Sequence, residues 1–152
     1  MAHVGNSMLD SVVRRLAWLR CQLCRFFRFS EQTARAYGLK RQQHQLLLGI
    51  SGHTGRGWAT ISEHVEFLQE RHNSLVELVD RAAERKLVYK EQDFDDRRFI
   101  RVRLAHRART TLDKLASRHR QELARLRSQL LITGKIWPRT SSRRAGPHAS
   151  HA

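Results

Sequence analysis

The chain has 152 residues, 40% of them apolar, enough for one folded domain of ordinary size with a core. Its 29 Lys and Arg outweigh 14 Asp and Glu to give a formal net charge of +15, which predicts attraction to polyanions through release of condensed counterions. Two cysteines exclude a disulfide scaffold, no apolar run reaches the length of a membrane span, and Arg14, Arg15, Arg20 and Arg25 break the apolar centre a secretory signal would need, so a cytoplasmic chain with no membrane partner is expected.

Residues 8–30 place Leu9, Val12, Leu16, Leu19, Leu23 and Phe26 at alternating three- and four-residue spacing, the mark of a helix with one buried stripe. RQQHQLLLGIS, residues 41–51, reads as a short second helix, and the glycines of GHTGRG then break the chain. Thr60 and Glu63 have the spacing of a capping box and start a helix at about Ile61. A turn over Gln69 to Arg71 leads to a helix from about His72 to Lys86, with Leu75, Leu78, Val79 and Ala82 on its apolar face. Leu87 to Lys90 reads as a short strand. Ile100, Val102 and Leu104 alternate with Arg101 and Arg103, as in a half-buried strand with a basic outer face, and EQDFDDRR between the two strands is a hairpin tip. Residues 107–131 repeat the helical stripe with Leu112, Ala116, His119, Leu123, Leu126 and Leu130, a heptad seam with one polar member. Residues 134–152 are rich in Ser, Gly, Pro and Arg without periodicity and read as a mostly disordered basic tail.

The order of parts from Thr60 to Ala105 is that of a winged helix-turn-helix, which offers one helix to the major groove and a basic loop to the backbone or minor groove. His72, Asn73 and Ser74 open the second helix, where side chains reach base edges and phosphates. Glu77 either accepts from cytosine or orients Arg71 or Arg81, and those two arginines suit phosphates better than bases. At the tip, Asp95, Asp96, Arg97 and Arg98 are either a solvated charge cluster or a minor-groove probe. The helix directly before them in sequence favours the probe. Two long striped helices flanking this unit suggest a dimerisation platform. The alternative is an intramolecular hairpin of the same two helices.

Other constellations carry less. Cys21 and Cys24, the CQLC pair, lack a βαβ setting for thioredoxin-like chemistry and a second pair for structural zinc. They read as packed or inert thiols. His44, His53, His64 and His72 have no ligand spacing and are expected at surface or capping positions. His119 either sets register on the seam or lies partly exposed at a helix crossing, and the second is favoured. GHTGRG lacks the Lys-Ser/Thr of a phosphate loop, and no catalytic set, cofactor or metal site stands out.

LKRQQHQLLLGI, RHNSLVELVDR and DDRRFIRVRL, in that order and spacing, resemble the multiple antibiotic resistance regulator (MarR) family, dimeric bacterial winged-helix transcription regulators. The resemblance covers about residues 8–131. It implies that the helix from His72 is the recognition helix. It also implies that the wing's Asp-x-Arg falls on Asp96 and Arg98, with the Arg entering the minor groove and the Asp holding it. The terminal helices would build a homodimer, and a small-molecule effector or an oxidant would act between them and the winged unit, Cys21 or Cys24 being the redox candidates. Departures from the family pattern fall at Lys86, where Gly is usual, at His64 and Val65, where Leu-Ala is usual, and at Leu104 to Ala108, where Leu-Thr-x-x-Gly is usual.

The expected fold is therefore mainly α with a small β wing (α+β). A dimerisation helix spans 1–35, a winged helix-turn-helix 36–105, a second dimerisation helix 106–133 and a basic tail 134–152. The expected function is non-enzymatic: a homodimeric repressor on a pseudo-palindromic operator in double-stranded DNA, contacted through Arg71, His72, Asn73, Ser74, Glu77, Arg81, Asp96, Arg97, Arg98 and Arg101. The alternative is a nucleic-acid-compacting protein without sequence preference, for which the charge alone suffices.

Overall fold

The computed structural model describes residues 4–53 and 56–136. They form α1 (Val4–Ala36), α2 (Arg41–Gly52), β1 (Trp58–Thr60), α3 (Ile61–Leu68), α4 (His72–Glu84), β2 (Val88–Gln92), β3 (Ile100–Leu104) and α5 (His106–Ile136). The three strands make one antiparallel sheet of order β1-β3-β2. Trp58 faces Arg103 across one ladder, and Val88 faces Leu104 across the other.

Local chemistry sets the helix ends. The Thr60 hydroxyl accepts from the Glu63 N–H at 3.3 Å, and the Glu63 carboxylate accepts from the Thr60 N–H at 2.8 Å, so the capping box starts α3 where its spacing predicts. α1 ends in a Schellman motif. Leu39 N–H reaches Ala34 C=O at 3.0 Å, Gly38 N–H reaches Arg35 C=O at 2.9 Å, and Gly38 takes φ +77°. α4 ends the same way, Leu87 to Ala82 at 2.9 Å and Lys86 to Ala83 at 2.8 Å, but with Lys86 at φ +54°.

The core gathers Leu46, Leu47 and Ile50 from α2, Leu75, Leu78 and Val79 from α4, Val88 and Val102 from the sheet, and Leu112 and Leu115 from α5. The α2–α3 contact is close: a Cβ on Gly49 would stand 2.9 Å from the His64 ring, so this position must lack a side chain. α1 and α5 pack on each other through their inner halves, where Arg125 donates to the buried Gln22 amide oxygen at 3.2 Å. Beyond that contact Leu9, Val12, Leu16, Leu19 and Leu130 are exposed, as is Leu123 before it. No helix among the described residues is long and apolar enough to cross a membrane.

Several expectations need correction. β1 is a strand that three residues were too few to announce, and it makes the wing sheet three-stranded. The first strand of the hairpin is shifted, running Val88–Gln92. Ile100 is 39% exposed instead of inward, at the tip end of the hairpin ladder where it pairs with Gln92. α5 continues to Ile136, so residues 134–136 are helical, and the rest of the expected tail lies outside the described residues. Three histidines expected at the surface or partly exposed are buried: His44, His64 and His119. Cys21 and Cys24 are free and exposed, not packed.

His119 shows how burial is satisfied. Its Nδ1 lies 2.8 Å from the Leu115 carbonyl, which can only accept, so Nδ1 carries a proton, and Nε2 is hydrogen-bonded to the Ser30 hydroxyl at 2.9 Å. Phe26, Phe29 and His44 surround the ring at centroid distances of 6.1, 5.4 and 5.6 Å. His64 has no such partners, since neither ring nitrogen makes a hydrogen bond.

Candidate nucleic-acid interface

α4 buries Leu75, Leu78, Val79 and Ala82, and this fixes the opposite face outward. Arg71, as N-cap, and His72, Asn73, Ser74, Glu77 and Arg81 are all exposed on that side. The first turn of a helix leaves backbone N–H groups without intrahelical acceptors, so His72 to Ser74 present both side-chain and main-chain donors. Glu77 makes no ion pair with a described residue, so of its two expected roles the link to Arg71 or Arg81 is not formed. Lys90 on β2 donates to Asp80 on α4 at 2.5 Å, tying the hairpin base to the helix.

The tip is built around two aspartates. Asp93 Oδ1 accepts from the N–H groups of Asp95 at 2.8 Å and Asp96 at 3.1 Å, which folds the turn. Asp96 Oδ1 then accepts from the Arg98 N–H at 3.0 Å. Its carboxylate also takes Arg98 Nη2 at 2.6 Å and Nε at 3.0 Å, a two-point clamp. The Arg98 guanidinium, then its N–H, hold the Asp96 carboxyl below the usual carboxylate range. The Arg98 side chain is nevertheless 86% exposed, so Asp96 aims it without covering it. Arg97 is exposed beside it.

Arg101 differs from the other expected contact residues. Its side chain is 15% exposed, donates to Asp93 at 2.5 Å, and lies over the Trp58 ring at 4.2 Å and near Phe94 at 5.8 Å. The Arg101 guanidinium is the first cause holding the Asp93 carboxyl below its ordinary range. Arg56 also lies over Trp58, at 4.4 Å, and donates to Glu63 at 2.6 Å. A continuous set of contacts therefore runs from the start of α3 through Glu63, Arg56, Trp58, Arg101 and Asp93 to the turn that holds Asp96 and Arg98. Sequence reasoning missed Trp58, Arg56 and Asp93 because their link depends on the β1–β3 pairing, which no local pattern encodes. Phe94, 85% exposed on the tip, was also missed.

The structure thus brings nine of the ten expected residues into two outward groups, α4 and the tip, and turns the tenth, Arg101, into the sheet. Comparison of the sequence with family models and with curated proteins gives no match. Solved structures do match. AbsC, a MarR family transcriptional regulator from Streptomyces coelicolor, aligns with TM-score 0.63 and 18% identity over 90% of this chain and 86% of its own. A mutant of MarR from E. coli complexed with operator DNA aligns with TM-score 0.63 and 14% identity over 85% of this chain and 97% of its own. A mutant of MepR from S. aureus bound to an oligodeoxyribonucleotide aligns with TM-score 0.60 and 17% identity over 77% and 88%. A three-stranded winged helix-turn-helix set between two long helices, the fold of the MarR-family regulators, is the fold of this chain.

Proposed function

We propose that the protein is a dimeric, sequence-specific DNA-binding transcription regulator that represses by occupying a pseudo-palindromic operator. The observation that carries this reading is Arg98: a guanidinium aimed by two contacts from Asp96 yet left open to solvent, on a hairpin tied to the exposed polar face of α4. Neighbours of the same fold bound to DNA support the same reading. In it, α4 enters the major groove with His72, Asn73 and Ser74 leading, Arg71 and Arg81 take phosphates, and Arg98 enters the minor groove, where it reads shape and potential.

Dimerisation is part of the proposal because the apolar residues of α1 and α5 beyond their mutual contact are exposed in a single chain. A two-fold dimer presents two copies of α4 and so requires a two-fold operator. An effector would act where α1 and α5 meet the winged unit. Exposed Cys21 and Cys24 on α1 leave oxidation of that helix open as a second input.

The test is selection of bound fragments from random duplex DNA, then affinity by fluorescence anisotropy. A two-fold consensus and a loss of about ten- to a hundred-fold per half-site for Arg98→Ala are expected, the scale of one good arginine contact. Asp96→Ala should weaken binding less, and Glu77→Ala should alter the preferred sequence. The net charge of +15 favours one other reading, nucleic-acid compaction. Selection without a consensus, with Arg98→Ala no weaker than other single-charge losses, would establish that reading instead.

A further inference from the structure

The outward face of α4 does not end at Ser74. A narrow crevice lined by Gln42, Gln45, Glu70 and Ser74 over a floor of Leu68, Leu75 and Leu78 leads from the start of α4 onto α2. Gln42, Gln45 and Glu70 also line an adjoining open cleft of about 400 Å³, whose remaining walls are Lys40 and Arg41. Those two cations in turn line a third, open cleft of about 740 Å³ together with Arg35 and Arg85. Shared lining residues therefore join the three into one track, most polar in its middle, that runs from the start of α4 across the beginning of α2 to the α1–α2 turn.

The cations on this track are not equivalent. Arg85 is committed to the fold: it donates to Gln43 at 2.6 Å and to the Gly38 carbonyl at 3.0 Å, fastening the end of α4 to the α1–α2 turn. Arg35 is paired with Glu31 at 2.7 Å. Lys40 and Arg41 are exposed, and their side chains make no ion pair with a described residue. Glu70 is the single carboxylate of the middle cleft, so the two free cations outweigh it. Free ammonium and guanidinium groups flanked by amides suit phosphate oxygens, and at the start of α2, off the helix proposed to enter the major groove, they are placed for the backbone rather than for base edges.

We propose that this track is a second backbone-contact surface, on which Lys40 and Arg41 engage phosphates of the DNA strand that passes the start of α4. The proposal rests on the DNA-binding reading and adds to it residues that position the duplex without selecting its sequence. Each phosphate contact contributes about 0.9 to the slope of log affinity against log salt concentration.

The experiment compares wild type, Lys40→Ala/Arg41→Ala, Lys114→Ala/Arg118→Ala and Arg98→Ala by anisotropy on the selected duplex and on a scrambled one, across several salt concentrations. Lys114 and Arg118 are exposed on α5, line none of the three clefts, and control for loss of two charges. For Lys40→Ala/Arg41→Ala the slope should fall by about 1.8 per subunit. Affinity at low salt should drop about tenfold or more, with the ratio of selected to scrambled affinity unchanged within about twofold. Circular dichroism and melting should match wild type, since both side chains are exposed. A slope equal to that of the α5 control would overturn the proposal. So would an unchanged slope accompanied by loss of a melting-temperature rise that inorganic phosphate gives the wild type, which would make the track a site for free anions. If wild type binds and Arg98→Ala weakens it while Lys40→Ala/Arg41→Ala follows wild type, this proposal alone fails. If wild type selects no sequence and Arg98→Ala is without special effect, the regulator reading fails first.

Discussion

Arg98 and Arg101 lie three residues apart on one hairpin and have opposite fates. Arg98 is 86% exposed, and Arg101 is 15% exposed under Trp58 and Asp93. Sequence made both look like contacts, because a basic alternation says which side chains share a face but not what covers that face. Arg101 is placed to act through Arg98, by holding Asp93 and so the turn. Arg101→Ala should therefore weaken operator binding, and Arg98→Ala should cost little further in that background. Additive losses in the double-mutant cycle would show instead that Arg101 touches DNA itself. His64 is the other residue whose surroundings matter more than its type. It is fully buried with both ring nitrogens unpartnered, and burial, with His53 nearby, lowers its pKa to about 4. His44 is likewise lowered to about 4, by burial and then by His119. Both sit below the unfolded value of 6.5, so the unfolded chain binds the extra protons as pH falls. Their stability contributions are present above about pH 6.5 and are lost on descent to about pH 4, by about 3 kcal/mol each at the scale of 1.36 kcal/mol per unit. His64→Leu should stabilise by about 1–3 kcal/mol at pH 7, by removing an unsatisfied buried imidazole. It should also roughly halve the fall in stability between pH 6.5 and 4 in urea titrations. An unchanged pH profile would place the effect elsewhere.

At the scale of elements, what was legible is what short-range chemistry fixes. The T-x-x-E box placed α3, and the three-four spacing gave the buried face of α4 in full. β1 was not legible, since three residues held only by pairing with β3 carry no period. The end of α4 was misjudged because Lys86, standing where Gly is usual in the resembled family, is not a residue type that announces the left-handed conformation it adopts. Comparison of the two Schellman motifs shows the cost. Gly38 takes φ +77° without strain, whereas Lys86 at φ +54° brings its Cβ against the backbone. Buried Leu39 and Leu87 supply the apolar contact that follows each motif and hold it closed. Lys86→Gly should therefore raise stability by about 1 kcal/mol, less the extra chain entropy glycine gives the unfolded state. In a melt this is an increase of a few degrees, with the urea m-value unchanged. A decrease would mean that the Lys86 side chain does more at the wing base than its exposure suggests.

For the whole molecule, the sequence stripes gave the helices, but on α5 Leu115 is buried where the seam placed Ala116, and the stripes were silent about which surface they meet. The same helices that read as a dimer platform also read as a hairpin, and the structure pairs only part of them within the chain. The inner halves of α1 and α5 pack within the chain, where Ala34, Leu112 and Leu115 are buried. The outer part of the α1 stripe has no cover in a single chain, with Leu9 66% and Leu16 59% exposed. Contiguous apolar surface of this kind is what a second copy would bury, at about 25 cal/mol for each Å² removed from water. Leu9→Glu with Leu16→Glu tests this at positions where an isolated chain has little to lose. Sedimentation equilibrium should find the wild type dimeric at micromolar concentration and the double variant monomeric. The wild-type melting temperature should rise with protein concentration while the variant's stays constant, because association stabilises by mass action. Operator affinity should collapse in the variant while each winged unit keeps its weak, salt-sensitive binding, since two half-sites are then no longer held by one particle. A monomeric wild type at that concentration, or a double variant that sediments and binds as wild type does, would leave α1 and α5 as an internal hairpin and remove the reason for a two-fold operator.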